Sequence, residues 1–180
     1  MKRIALAVLL ASGLMAADSG MYVGLDVGNT KFDMKASANG VSVEESDDGG
    51  SLTLKLGNYL DKNSRAYISY QNINVDGGDG YHFGIGYDYL IGDNDIKPFV
   101  GGYVGYGSAE VDGYSELDIS GVVYGAQAGV NYAINDNFSV EAGYRYMKSN
   151  MEDTITVSGV DVKLEIDPIS NWFVGVNYKF

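Results

Sequence analysis

The chain has no cysteine, 2 prolines, 1 histidine and 1 tryptophan, and its 12 basic side chains are outnumbered by 24 acidic ones. Without cysteine there is no disulfide framework, and with a single histidine there is no zinc site of Cys/His type. The acidic surplus argues against nucleic acid as a partner, because a polyanion is bound through basic residues. Nowhere is there a run of roughly 18 to 20 apolar residues, the length a membrane helix requires. The small number of prolines, set beside 25 glycines and 15 tyrosines, fits neither a disordered segment nor a helical bundle. The profile is β-rich.

The 180 residues leave room for one domain, and the first segment stands apart from it. "MKRIALAVLLASGLMAADSG" has a charged start (Lys2, Arg3), an apolar run from Ile4 to Leu10, and small residues around Ala16 and Ala17. That is the layout of a cleavable signal peptide. Residues 1–17 are assigned to it, with Ala16 as the alternative cut because Met15 makes an imperfect small-x-small site; residues 18–180 are the folded domain.

Period-two alternation recurs along that domain and predicts eight strands: Met21 to Met34, Ser51 to Leu60, Arg65 to Val75, Tyr81 to Ile91, Lys97 to Ser108, Leu117 to Ile134, Phe138 to Lys148 and Ile169 to Phe180. Each supplies the roughly 9 to 11 residues that a tilted strand needs to cross a bilayer. The connections alternate in character. "DKNS" (61–64), "GDND" (92–95) and "NDN" (135–137) are tight turns, whereas 38–50, 76–80, 108–118 and 149–167 read as mostly longer, irregular loops. Short turns at one end and long loops at the other are the periplasmic and outer ends of a membrane barrel.

The strand faces carry the medium. Trp172, Val174, Val176, Tyr178 and Phe180 share one face of the last strand; Tyr81, Phe83, Ile85, Tyr87 and Tyr89 share one face of the fourth. Aromatic rings concentrate near strand ends, where they suit the membrane–water boundary. The opposite faces are small and polar. In a soluble sandwich, the competing reading, the bulky face would be core and those glycines would lie on exposed strands, where they weaken the sheet. Inside a narrow barrel they make room. The expectation is an all-β, closed, antiparallel up-and-down transmembrane β-barrel of eight strands. The facing of the fifth strand, "KPFVGGYVGYGS", stays open, since glycines and aromatics fall on both parities.

With a signal peptide, eight alternating strands and a closing "FVGVNYKF", the chain resembles the small outer-membrane β-barrels of Gram-negative bacteria, the OmpA-type and OmpX-like proteins. The resemblance implies an outer-membrane address reached through the periplasm. It also implies that Gly175, Tyr178 and Phe180 form the signal read by the barrel-assembly machinery. Phe173 departs from the pattern, which often has a polar residue there.

The four outer connections carry net charges of −4, −2, −4 and −4, which is all the charge of the chain after its signal. The carriers singled out are Glu44, Glu45, Asp47, Asp48, Asp112, Glu116, Asp118, Glu152 and Asp153. Such an acidic rim keeps loops solvated, and it could hold divalent cations that bridge to lipopolysaccharide phosphates. Asp26, Asp88 and Glu141 face the lumen opposite Lys55, Arg65 and Arg145. Three and three cancel, and buried charges need partners, so the sequence predicts a salt-bridged plug, with a solvated, leaky lumen as the alternative.

Two motifs point to chemistry only weakly. "DVGNT" (Asp26 to Thr30) resembles a kinase phosphate loop, but no second phosphate loop or adenosine site accompanies it. A lipid-hydrolysing barrel would have to assemble Ser69 or Ser108 with His82 and a carboxylate, and nothing in the sequence fixes that geometry. No catalytic residue, cofactor or metal is assigned. The leading expectation is a monomeric, non-enzymatic outer-membrane barrel with a structural or surface-interaction role in contact with lipopolysaccharide. A small passive pore, a lipid-modifying enzyme and a secreted ligand carrier are the competing readings.

Overall fold

The computed structural model describes residues 20–38, 40–75, 78–111, 119–157 and 160–180. The strands are β1 (Met21–Ala38), β2 (Val41–Tyr59), β3 (Ser64–Val75), β4 (Gly78–Leu90), β5 (Ile96–Val111), β6 (Ile119–Ala133), β7 (Phe138–Ser149), β8 (Met151–Val157) and β9 (Val160–Lys179). Each pairs antiparallel with its neighbours, and β1 pairs with β9 to close the ring. β7 and β8 are one wall interrupted at Asn150: on the β6 side their register is continuous, from Val123↔Ser149 to Ser120↔Glu152. The result is a closed barrel of eight walls, which leaves no sheet edge in the hydrocarbon layer.

Lipid-facing residues explain the alternation. Leu25, Val27, Leu52, Leu54, Val104, Val174 and Val176 are exposed around the middle of the barrel. Tyr70, Tyr81, Tyr106, Tyr124, Tyr146 and Trp172 form a belt toward the loop end, and Tyr87, Tyr89, Tyr132, Phe138, Tyr178 and Phe180 form one toward the short turns. In β5 the parity is now fixed: Phe99 and Tyr103 turn inward while Val100, Val104 and Tyr106 turn out.

The structure corrects two expectations. The connections 38–50 and 149–167 are ladder-paired hairpins. β1 and β2 remain in register from Gly28↔Ser51 out to Ala38↔Val41, and β8 and β9 pair from Met151↔Ile166 to Val157↔Val160. Glu44, Glu45, Asp47, Asp48, Glu152 and Asp153 therefore sit on strands that extend beyond the span a bilayer needs. β1 also continues against β9 as far as Ser37↔Lys163. The second correction concerns the inward face, which is not polar throughout. Ile119, Val123, Met147, Met151, Ile166 and Ile169 bury one another with Tyr103 at the outer end of the lumen.

Candidate functional site in the barrel lumen

Because alternate residues of every strand point inward, the lumen is built as tiers, each assembled from several walls. At the short-turn end lies an open polar vestibule lined by Asp61, Lys62, Asp93, Asp95, Asn137 and Lys179, among others. Asp61 caps the first of these turns. Its carboxylate accepts hydrogen bonds from Ser64 Oγ at 2.6 Å and from the Asn63 amide at 2.7 Å, which hold it below the ordinary carboxylate range.

Above the vestibule is a layer of charge. Lys55 Nζ lies 2.9 Å from Asp26 Oδ2 and also contacts Glu141 Oε1. Arg65 Nη2 is 2.9 Å from Asp88 Oδ2 and 2.8 Å from Glu141 Oε2. Glu141 thus joins the cations of β2 and β3, and all five side chains are buried. Arg145 has no ion pair among the described residues. It donates to Gln127 Oε1 at 2.8 Å, and Gln127 donates in turn to Asp88 Oδ1 at 2.5 Å. Its guanidinium also lies over the Tyr103 ring, 4.6 Å from the centroid. Asn177 donates to Glu141 Oε2 at 3.0 Å.

Sequence reasoning did not single out Gln127 and Asn177, nor the neutral tier above them. There Asn171 Nδ2 reaches Thr30 Oγ1 at 2.9 Å and Ser51 Oγ at 3.0 Å, and Gln71 Nε2 reaches Thr30 Oγ1 at 3.2 Å. Their signal was available, since each is an amide on the inward parity of a strand with aromatics on the other. Inward aromatics fill what remains, and they fit because glycine faces them. A Cβ on Gly86 would stand 2.1 Å from Tyr67 Cζ, and one on Gly143 2.7 Å from Phe173 Cζ. Phe173 is therefore a lumen filler, between the ring-facing cations Lys55 and Arg145.

Asp26 and Thr30 of the "DVGNT" segment both lie buried on the inner face of β1, which is ladder-paired on both sides. The segment is extended strand and makes no turn around a phosphate. His82 is buried beneath the apolar cluster, and its Nδ1 has no hydrogen-bond partner among the described residues.

Of the assembly-signal residues, Tyr178 and Phe180 face outward and their rings meet edge-on at 5.1 Å; Tyr178 also meets Phe138 at 4.9 Å. Gly175 faces Asp26, whose Oδ1 would be 2.0 Å from a Cβ there. On the outer hairpins, Lys35 pairs with Glu44 at 3.5 Å, and Lys163 pairs with both Glu152 and Glu165 at 2.8 Å. Asp48 accepts from Asn29 Nδ2 at 2.9 Å, and Asp47 from the Asp48 amide at 2.8 Å. Asp112, Glu116 and Asp118 lie outside the described residues. Among the described residues no group of three or more acidic or histidine side chains is placed to hold a metal ion.

A closed ring of eight walls, belted by aromatics and filled with charge, is the arrangement of an outer-membrane barrel, and the sequence matches the family described as "Outer membrane protein beta-barrel domain" over residues 4–180. The chain belongs to that family. It is an outer-membrane protein of a Gram-negative bacterium. Among solved structures it is similar to the neisserial surface protein A (NspA), with 24% identity, 89% of this chain and 97% of that one covered, and a TM-score of 0.62. OprG of Pseudomonas aeruginosa is 14% identical, with 90% and 96% covered and a TM-score of 0.60. OprH of P. aeruginosa is 25% identical, with 90% and 100% covered and a TM-score of 0.59. No curated protein sequence matches it.

Proposed function

We propose that this barrel is a non-enzymatic, non-conducting element of the outer membrane that stiffens the bilayer and presents acidic hairpins at the cell surface. The observation that carries the reading is the charge layer, in which Glu141 joins Lys55 to Arg65 across the lumen while the apolar cluster caps it from outside. Paired charges and packed rings leave little free cross-section for ions. In planar bilayers the purified protein is expected to give no steady current, and a large, sustained open current would replace this reading with that of a small passive pore.

The setting of His82 supports a non-catalytic role. A nucleophile–base–carboxylate chain needs the imidazole oriented by an acid, and no carboxylate is bonded to His82 among the described residues. Lipid A incubated with the protein should release no fatty acid. Glu44, Glu45 and Asp48 of β2 are exposed, and in this reading divalent cations shared between these carboxylates and lipopolysaccharide phosphates anchor the surface. Residues 1–17 are read as the cleaved signal peptide, and Gly175, Tyr178 and Phe180 as the sequence recognised by the barrel-assembly machinery. The protein acts as a monomer in this reading.

A further inference from the structure

The outer mouth of the lumen holds an apolar cup of about 200 Å³ that the structural role does not use. Its walls are Ile73, Ile119, Met151, Ile166 and Ile169, closed at the rim by Phe32 and Met34. At the base sits His82, 3% exposed, with Nδ1 unpartnered among the described residues. One carboxylate also faces the cup: Asp47, on the inward parity of β2 with Ser51, Thr53 and Lys55.

An apolar cavity of this order is large enough for a benzene-sized molecule, and it is unfavourable for water except where a polar atom such as the imidazole offers a bond. The cup therefore favours an apolar body of one ring or a short chain. Charge decides the rest. The basic residues of the neighbouring hairpins are engaged with other acids: Lys35 with Glu44, and Lys163 with Glu152 and Glu165. Lys31 stands in register opposite Asp48. Asp47 has no ion pair among the described residues, and among them no basic side chain but the imidazole lines the cup. An anionic head group would be repelled at this rim and a cationic one attracted.

We infer that the cup is a binding site for small apolar monoamines, with the ring or chain among Ile73, Ile119 and Met151 and the ammonium group against Asp47 at the rim.

Benzylammonium, benzyl alcohol and benzoate share a ring and differ in the charge of the head group, and all three dissolve without micelles. Titrated into protein carrying ¹³C-methyl methionine in lipid nanodiscs, benzylammonium should shift Met151 and Met34 saturably while Met21, at the opposite end, stays still. Its affinity should exceed that of benzyl alcohol by about tenfold, with benzoate weakest. Ile119→Trp fills the cup and should abolish the saturable shift; should that variant not fold, as read by heat-shifted mobility on a gel, Ala109→Phe blocks the rim instead. Asp47→Asn should remove the preference for the amine and leave binding of the alcohol intact. Equal shifts at Met21 and Met151, binding that survives a folded cup-filling variant, or benzoate bound as tightly as benzylammonium would each overturn the assignment.

Discussion

Glu141 illustrates how much can depend on one side chain in a narrow lumen. It is the acid shared by Lys55 and Arg65, and it also accepts from Asn177. Glu141→Gln keeps the shape and removes the charge, leaving buried cations in excess; the expected loss is about 3–5 kcal/mol, read from urea unfolding in detergent. Gly86 makes the complementary point about space. Gly86→Ala puts a methyl group into the Tyr67 ring, with an expected cost of about 1–3 kcal/mol, and pairing it with Tyr67→Ala should recover part of that loss in a double-mutant cycle. At the surface, hydrogen bonds from Lys163 hold the Glu165 carboxylate below its ordinary range, while Glu152 and then Glu165 raise the ammonium of Lys163. The sign follows from each direction. Glu165's share of hairpin stability is present above its ordinary range and disappears as pH falls through its lowered value; the Lys163 share is present below the ordinary lysine range and disappears as pH rises through its raised one. NMR titration of Glu165 should therefore place its midpoint below that of a free glutamate, and Lys163→Met should move it back up.

The strands were legible because hydrocarbon imposes a strict demand on every second residue: Val174, Val176 and Tyr178 have no alternative but apolar. Once the outward parity is known, Asp26, Lys55, Arg65, Asp88, Glu141 and Arg145 can be read as facing the lumen; that Arg145 bonds Gln127 and, among the described residues, pairs with no acid cannot be read that way. Two features were harder to read for a physical reason. Outside the membrane both faces of a strand meet water, so "VSVEESDD" in β2 loses the contrast that marks a strand, although Val41 and Val43 still alternate. Near the outer mouth the inward side turns apolar while the outward side stays so. "VV" at 122–123 and "YM" at 146–147 then show no parity at all, and the Ile119–Val123–Met147 cluster was invisible. The paired hairpins carry their own expectation. A cysteine placed at Asp47 should react with an impermeant reagent on intact cells, whereas one at Asp93, in a turn at the vestibule end, should react only after the outer membrane is opened.

The whole molecule is held by ladders between neighbouring walls and by a lumen in which charge, amide and ring tiers succeed one another. Such a body should fractionate with the outer membrane, require detergent for extraction, and migrate at two positions on a gel before and after boiling. A single position that is independent of heating would count against closure. The closing ladder sets the timetable for assembly. Tyr22 pairs with Lys179 and Leu25 with Val176, so the first wall waits for the last before its backbone groups are satisfied. Contacts this distant in sequence form slowly. Until they form, the outer margin of β1 carries unpaired backbone groups, a template on which another chain could pair.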